Sequence, residues 1–236
     1  MYYFGLKLAD IYIPIAAVYA ATSKLFGSYT IVKNNASENV QVLPDAKDFW
    51  LDTGKPLDAV AEYSMLSVYC SDYLLSHNRC VFHAVAFSHK DRAYLITAPP
   101  GVGKTTQMMF LQKLYPGEFH VISGDRPILE RLQDNSFIVH PSPWNGKENW
   151  YGAGAKPLAG IICLERGKDN KLEQYNPKDA VLPLLPALLC SCESQDLIVR
   201  MASFEDALLR MVPVWHMING GVPDSTDLLY RSLFMG

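Results

Sequence analysis

Lys104, Thr105, Asp125 and His83 are the residues of this chain whose types and spacing fit phosphate chemistry. Lys104 and Thr105 close the run Ala98-Pro99-Pro100-Gly101-Val102-Gly103-Lys104-Thr105-Thr106, which follows an apolar segment and precedes a helical one. That order suits a loop that turns backbone N–H groups around a phosphate chain, with the positive end of the next helix behind it. Lys104 would reach the β- and γ-phosphates, and the Thr105 hydroxyl would ligate Mg²⁺. The usual pattern is G-x-x-x-x-G-K-[ST]. Here Ala98 takes the first glycine position, while Gly101 and Gly103 remain where the backbone must approach the phosphates. Nucleoside triphosphate binding is the reading this run supports.

Phosphoryl transfer requires positioning, charge neutralisation and a group that orients or deprotonates the acceptor. Asp125 ends the next predicted strand in Ser123-Gly124-Asp125-Arg126-Pro127 and would hold Mg²⁺; the same residues also fit a surface turn. Arg126 would either offset transition-state charge or pair with Asp125 in solvent. His83 shares a predicted strand face with Val81, Val85 and Phe87, so it is a core histidine or an active-site one. Arg79, just before it, reads as a solvent residue with phosphate contact as the alternative. The Pro141–Pro157 loop carries Trp144, of a solvent-facing type, with Gly146, Lys147 and Glu148. Loops of this kind serve as lids or acceptor contacts, and Lys147 and Glu148 would either bind the acceptor or stand in solvent.

The elements that must position these groups are legible as patterns. Residues 1 to about 56 contain short β-like runs, Tyr2–Leu8, Ile11–Val18, Tyr29–Val32 and Asn39–Leu43, divided by polar turns such as Asn34-Asn35. They form a β-rich N-terminal segment expected to pack on a core of residues 57–236. Helical periodicity runs from Leu57 to Ser76. Strands are expected over Arg79–Phe87 and Arg92–Thr97, joined by a short polar turn into a hairpin that feeds the loop. A helix over Thr105–Tyr115 follows, then a strand over Phe119–Ser123, a hairpin of Ile128–Leu132 with Ser136–His140, and a buried strand over Leu158–Leu164. The remainder reads as helical, over Pro177–Leu189 and Ser203–Met217, with Ser203 and Asp206 in capping-box positions. Strands before the loop and hairpins after it predict an α/β (mixed α+β) fold with a mixed, hairpin-rich sheet flanked by helices. Regular βαβ alternation is absent.

The chain has 236 residues, 49% hydrophobic and 19% charged, enough for a sizeable core. A net charge of −3 offers no general affinity for nucleic acid or anionic membrane. Five cysteines, several in apolar runs such as Ile161-Ile162-Cys163-Leu164, read as reduced core thiols of a cytoplasmic protein. The Ile11–Ala21 run is too short to span a bilayer and contains Pro14.

From about Cys80 to Leu189 the chain resembles the catalytic domain of HPr kinase/phosphorylase and its smaller relatives, a group similar in fold to ATP-dependent phosphoenolpyruvate carboxykinase. The resemblance rests on His83 upstream of the loop, on Gly103-Lys104-Thr105-Thr106, on Ser123-Gly124-Asp125, and on a Pro-Trp-x-Gly loop before Pro157–Leu164. It implies a phosphoenolpyruvate-carboxykinase-like P-loop fold, ATP and Mg²⁺, and γ-phosphoryl transfer to a hydroxyl, that of a protein serine in the type members. Gly101, Val102, Gly103, Lys104, Thr105 and Thr106 would then bind the nucleotide, Thr105 and Asp125 the metal, and Asp125, His83 and Lys104 would be catalytic. The implied acceptor is a peptide, a protein or a small molecule. The family places two adjacent acidic residues where this chain has Gly124-Asp125, and no copy of its HPr-recognition loop is found. The rival reading is a nucleotide-binding regulatory or scaffold module with reduced catalysis; a hydrolytic P-loop ATPase would need the parallel βαβ pattern.

Overall fold

The computed structural model describes residues 1–31, 41–42, 58–148, 150, 152 and 154–235. The expected turn at Asn34-Asn35 and the outer residues of the Asn39–Leu43 run lie outside them. The order begins β1 (Tyr2–Leu8), β2 (Ile11–Ala17), α1 (Thr22–Leu25), β3 (Thr30–Ile31) and β4 (Gln41–Val42). It continues with α2 (Ala59–Leu75), β5 (Arg79–Val81), β6 (Val85–His89), β7 (Arg92–Thr97), α3 (Lys104–Leu114) and β8 (His120–Ser123). Then come β9 (Ile128–Arg131), β10 (Phe137–His140), β11 (Lys156–Arg166), β12 (Lys171–Gln174), α4 (Pro177–Leu184), α5 (Gln195–Met211), β13 (Val214–Asn219) and α6 (Asp224–Leu233).

The large sheet is mixed and has nine strands among the described residues. β7, β11 and β13 are parallel neighbours, while β6 runs antiparallel to both β7 and β8. The β6–β7 hairpin turns on Lys90-Asp91, both at positive φ (46° and 61°), the backbone that a two-residue turn needs to match strand twist. Side chains alternate across the sheet with the period of two that strands impose. Leu95, Ile161 and Cys163 join one core with Leu184 and Leu208, from α4 and α5. Ile96, Ile162 and Leu164 join the opposite core with Met108, Leu111 and Leu229, from α3 and α6. Helices thus cover both faces of a mixed sheet, as the sequence pattern predicts.

A second sheet, ordered β3-β1-β2-β4, stands at the N-terminus. Its inward residues Leu6, Leu8, Ile13 and Ile15 pack with Leu66, Cys70 and Leu74 of α2 and with Phe26 and Trp144. The Glu62 carboxylate of α2, 1% exposed, accepts hydrogen bonds from Val18 N (2.6 Å), Tyr19 N (3.2 Å) and Thr22 Oγ1 (2.5 Å). Burial of that charge is thereby met by three donors, as a buried carboxylate requires.

The C-terminal third departs from the expected pattern. The helix predicted over Ser203–Met217 is α5, which starts earlier, with Ser194 as its cap accepting from Leu197 N (3.2 Å). Pro213 stops it, and Val214–Asn219 becomes a strand inside the sheet. Its β-branched and aromatic residues suit a strand, but only the parallel pairing with β11 decides it. Pro177–Leu189 is shorter than expected, because α4 gives way to a single 3₁₀ turn at Leu185–Ala187. The Arg79–Phe87 strand is broken: Phe82–Ala84 leave the ladder, and Val81 enters a different core from Val85 and Phe87. Among the described residues, no helix is long and apolar enough to cross a membrane.

One buried group works against the fold. Glu205 on α5 is 5% exposed, its Oε1 has no hydrogen-bond partner among the described residues, and burial raises its carboxyl above the ordinary 4.5. The folded state therefore holds this proton more tightly than the unfolded one. The penalty is absent below the unfolded value and grows as pH rises through the folded one, so stability falls with rising pH across that window. Glu205→Met is expected to add about 1–2 kcal/mol at neutral pH, to raise the melting temperature, and to flatten this slope in pH-dependent thermal melts.

Candidate functional site

The carboxyl ends of β7, β8 and β11 and the amino end of β6 meet at one edge of the sheet. Open α/β sheets bind ligands at the carboxyl ends of their strands, where loops leave the core. Ala98–Gly103 leaves β7 here and leads into α3. Gly101 and Gly103 hold φ of +78° and +121°, a region that side chains rarely adopt. No side-chain cap satisfies the first N–H groups of α3, whose N-cap is Gly103 itself. Helix starts without a side-chain cap are where proteins receive phosphate.

Lys104 is only 9% exposed, although it carries an ammonium. Its Nζ donates to Ala98 O (2.9 Å) and lies 3.2 Å from His83 Nε2. The same His83 nitrogen lies 3.3 Å from Asp125 Oδ1. Nε2 thus faces a donor on one side and an acceptor on the other. Unprotonated, it accepts from Lys104; protonated, it donates to Asp125. Burial lowers the Lys104 pKa, and the Asp125 charge only partly offsets it. For Asp125 burial pulls upward, but the His83 hydrogen bond and the charges of Arg126, His83 and Lys104 hold the carboxyl below its ordinary value. A carboxylate held that way is a poor proton acceptor and a ready cation ligand. The donor set of Asp125 and the Thr105 hydroxyl fits Mg²⁺, which takes one or two protein oxygens and fills its shell with phosphate and water. Thr105 is half-buried and Thr106 exposed, both in the first turn of α3.

His83 owes its place to the break in its strand. Its N–H donates to Ala187 O (2.7 Å), and its carbonyl accepts from Thr97 Oγ1 (2.9 Å). Ala84 N donates to Asp125 O (2.8 Å), which ties the β8 end to the same corner. Of three further candidates, Arg79 and Trp144 lie elsewhere, and Arg126 is shared between Asp125 and α2. Arg79 neither faces solvent nor approaches the loop; it pairs with Glu130 and donates to His77 O (2.7 Å). Arg126 stands 3.4 Å from Asp125 but gives its Nη1 to Ser64 O (2.9 Å) and Ser67 Oγ (2.6 Å) of α2. Trp144, expected on the surface, is 3% exposed, with its Nε1 donating to Tyr63 O (2.8 Å) and its ring edge-on to Phe26. The loop that carries Trp144 is consequently anchored at that point and is no free lid there.

That anchoring decides what Gly124 can be. A Cβ at Gly124 would stand 2.3 Å from Asn145 O and 3.2 Å from Asn145 C. Loop backbone occupies the direction in which a second acidic side chain would leave. At Gly146, by contrast, a Cβ would lie 3.4 Å from both Asp125 Cβ and Glu148 Oε2, so the exposed Glu148 stands beside Asp125. Lys147 is exposed as well.

Sequence reasoning passed over Arg166. At the end of β11, its Nη2 donates to Gly101 O (2.6 Å) and its Nε to Val102 O (3.3 Å), fastening the loop's outer carbonyls. Only the parallel register of β11 against β7 puts it there, and nothing local announces that register.

No protein-family model matches the chain, and no curated protein matches it. Among solved structures, the HPr(Ser) kinase/phosphatase from Coxiella burnetii superimposes with a TM-score of 0.37 and 13% identity, covering 66% of this chain and 93% of that one. At that level the likeness carries no functional argument.

Proposed function

We propose that the protein is an ATP- and Mg²⁺-dependent phosphotransferase acting on a hydroxyl group. The observation that carries the proposal is the convergence of Lys104, His83 and Asp125 within 3.2–3.3 Å at the mouth of a positive-φ glycine loop. In this reading the α3 amides and Lys104 hold the phosphates, and Thr105 with Asp125 holds the metal. Mg²⁺ would supply neutralisation of phosphate charge. Unprotonated His83, its Nε2 beside Lys104, receives the acceptor's proton, while Asp125 stays a carboxylate beside Arg126 and Lys104.

Calorimetric titration of ATP, with and without Mg²⁺, on wild type and Asp125→Asn tests the assignment. The substitution is expected to weaken binding about tenfold, which is 1.4 kcal/mol, with Mg²⁺ present and to leave metal-free binding unchanged. Equal affinities under all four conditions would remove Asp125 from the metal. One observation favours a second reading, a nucleotide-binding regulatory module: the place of a second acid at Gly124 is filled by Asn145 backbone. MgATP binding without transfer to any hydroxyl acceptor is what that reading predicts.

A further inference from the structure

A cavity of about 460 Å³ opens beside the phosphate loop, bounded by β7, the end of β11, β13 and the α4 region. Its size is in the range that encloses small organic ligands. The loop residues on its wall are Ala98, Pro99 and Pro100, the leading half of the loop; Val102 and the α3 start, which face the phosphates, are not among its walls. His83 is shared between this cavity and the Lys104–Asp125 cluster. A molecule filling it therefore reaches the residue that also contacts Lys104 and Asp125.

The walls define the chemistry. Leu182, Pro183 and Pro186 line one side, and the Tyr175 ring, stacked on His216 at 5.1 Å and 10°, lines another. No lysine or arginine lines the cavity among the described residues, so an anionic acceptor would find no permanent counter-charge. Its one carboxylate, Glu165, is engaged by His216 Nε2 at 2.8 Å. A polyol would leave most of its hydroxyls without partners against proline and leucine, which costs binding energy for each. What fits is an apolar, ring-sized body with a hydroxyl at the His83 end.

We infer that this cavity is the acceptor subsite, and that the acceptor is an uncharged small-molecule alcohol with an aromatic or branched apolar body. The inference rests on the phosphotransferase reading above. In the step it implies, the alcohol oxygen forms a bond to the γ-phosphorus and the bridging oxygen–γ-phosphorus bond breaks. The electron pair leaves with ADP, and the hydroxyl proton passes to His83 Nε2.

The test titrates 2-phenylethanol, glycerol and glycerol 3-phosphate into the protein, each with and without Mg²⁺ and a non-hydrolysable ATP analogue. Wild type is compared with Tyr175→Ala and with Pro186→Trp, a change at an exposed turn that fills the opening without touching the core. Thermal melts on each variant confirm folding. The expected result is 2-phenylethanol binding about tenfold tighter than that of either other probe, lost about tenfold in both variants. Nucleotide affinity should stay constant across all three proteins, and 2-phenylethyl phosphate should form from ATP. Parallel loss of nucleotide affinity in Pro186→Trp would assign the cavity to the nucleobase and overturn the inference. Equal or tighter binding of glycerol or glycerol 3-phosphate would overturn the apolar class. Selective 2-phenylethanol binding by a wild type that binds no nucleotide would sink the phosphotransferase reading and, with it, the acceptor role. The two failures are therefore distinguishable.

Discussion

Lys104→Ala is expected to weaken MgATP binding by about 100-fold, roughly 2.7 kcal/mol, and to remove detectable phosphoryl transfer. The fold should be spared. Lys104 is buried and its pKa is lowered chiefly by that burial, so its ammonium is held in place at a cost in stability. Replacing it with alanine removes the desolvated charge, and the melting temperature should hold or rise. The pair of readouts is decisive. Affinity lost with stability kept places Lys104 on the ligand, whereas stability lost with affinity kept makes it a structural lysine bonded to Ala98 O.

The second large effect is expected at Gly124, where function and folding pull together. Gly124→Ala puts a methyl group 2.3 Å from the Asn145 carbonyl oxygen, which is main chain and does not swing aside as a side-chain tip would. The loop must move, and Arg126 N, which donates to Trp144 O at 3.1 Å, moves with it. Overpacking of this kind costs about 3 kcal/mol, and in a chain of this size that lowers the melting temperature by roughly 6–12 °C. Gly124→Asp should be no better, so the acidic pair expected from the family resemblance is not restored by one substitution. Differential scanning calorimetry checks both variants. An unchanged melting temperature for Gly124→Ala would show that the Asn145 loop yields freely and that glycine is not required there.

How much of this was legible in the sequence follows the reach of each interaction. The conformation of the Ala98–Gly103 loop was readable because its requirements are local: a strand, glycines able to take positive φ, a lysine and a helix start lie within one short run. The sheet's mixed character was readable from the two hairpins. His83 was readable as a candidate, but its setting was not. Alternation in Arg79–Phe87 is that of an unbroken strand, and the break comes from Ala187 and Thr97, which are far along the chain. Val214–Asn219 was missed because an apolar run after a helix reads as more helix until β11 is beside it. Trp144 was placed on the surface because its neighbours are polar and turn-forming. Its burial depends on Phe26 and Tyr63, and no local pattern can name those partners. Arg79 was misplaced for the same reason, its acceptors being on β9 and the β5 approach; Arg126 pairs with Asp125 as one reading allowed, and its further acceptors on α2 were not legible.

The Phe26 ring lies 4.8 Å from Tyr63, 5.8 Å from Trp144 and 6.0 Å from Phe4. Through it the N-terminal sheet touches the very loop whose backbone roofs Gly124. For anyone exchanging parts between proteins, this sets the cut points. A graft of the Ala98–Gly103 loop and its strands alone would leave Trp144 without its cradle. The smallest transplantable unit carries the first sheet, α2 and the tryptophan loop together, so the opening residues of the chain help to shape the corner where Lys104, His83 and Asp125 meet.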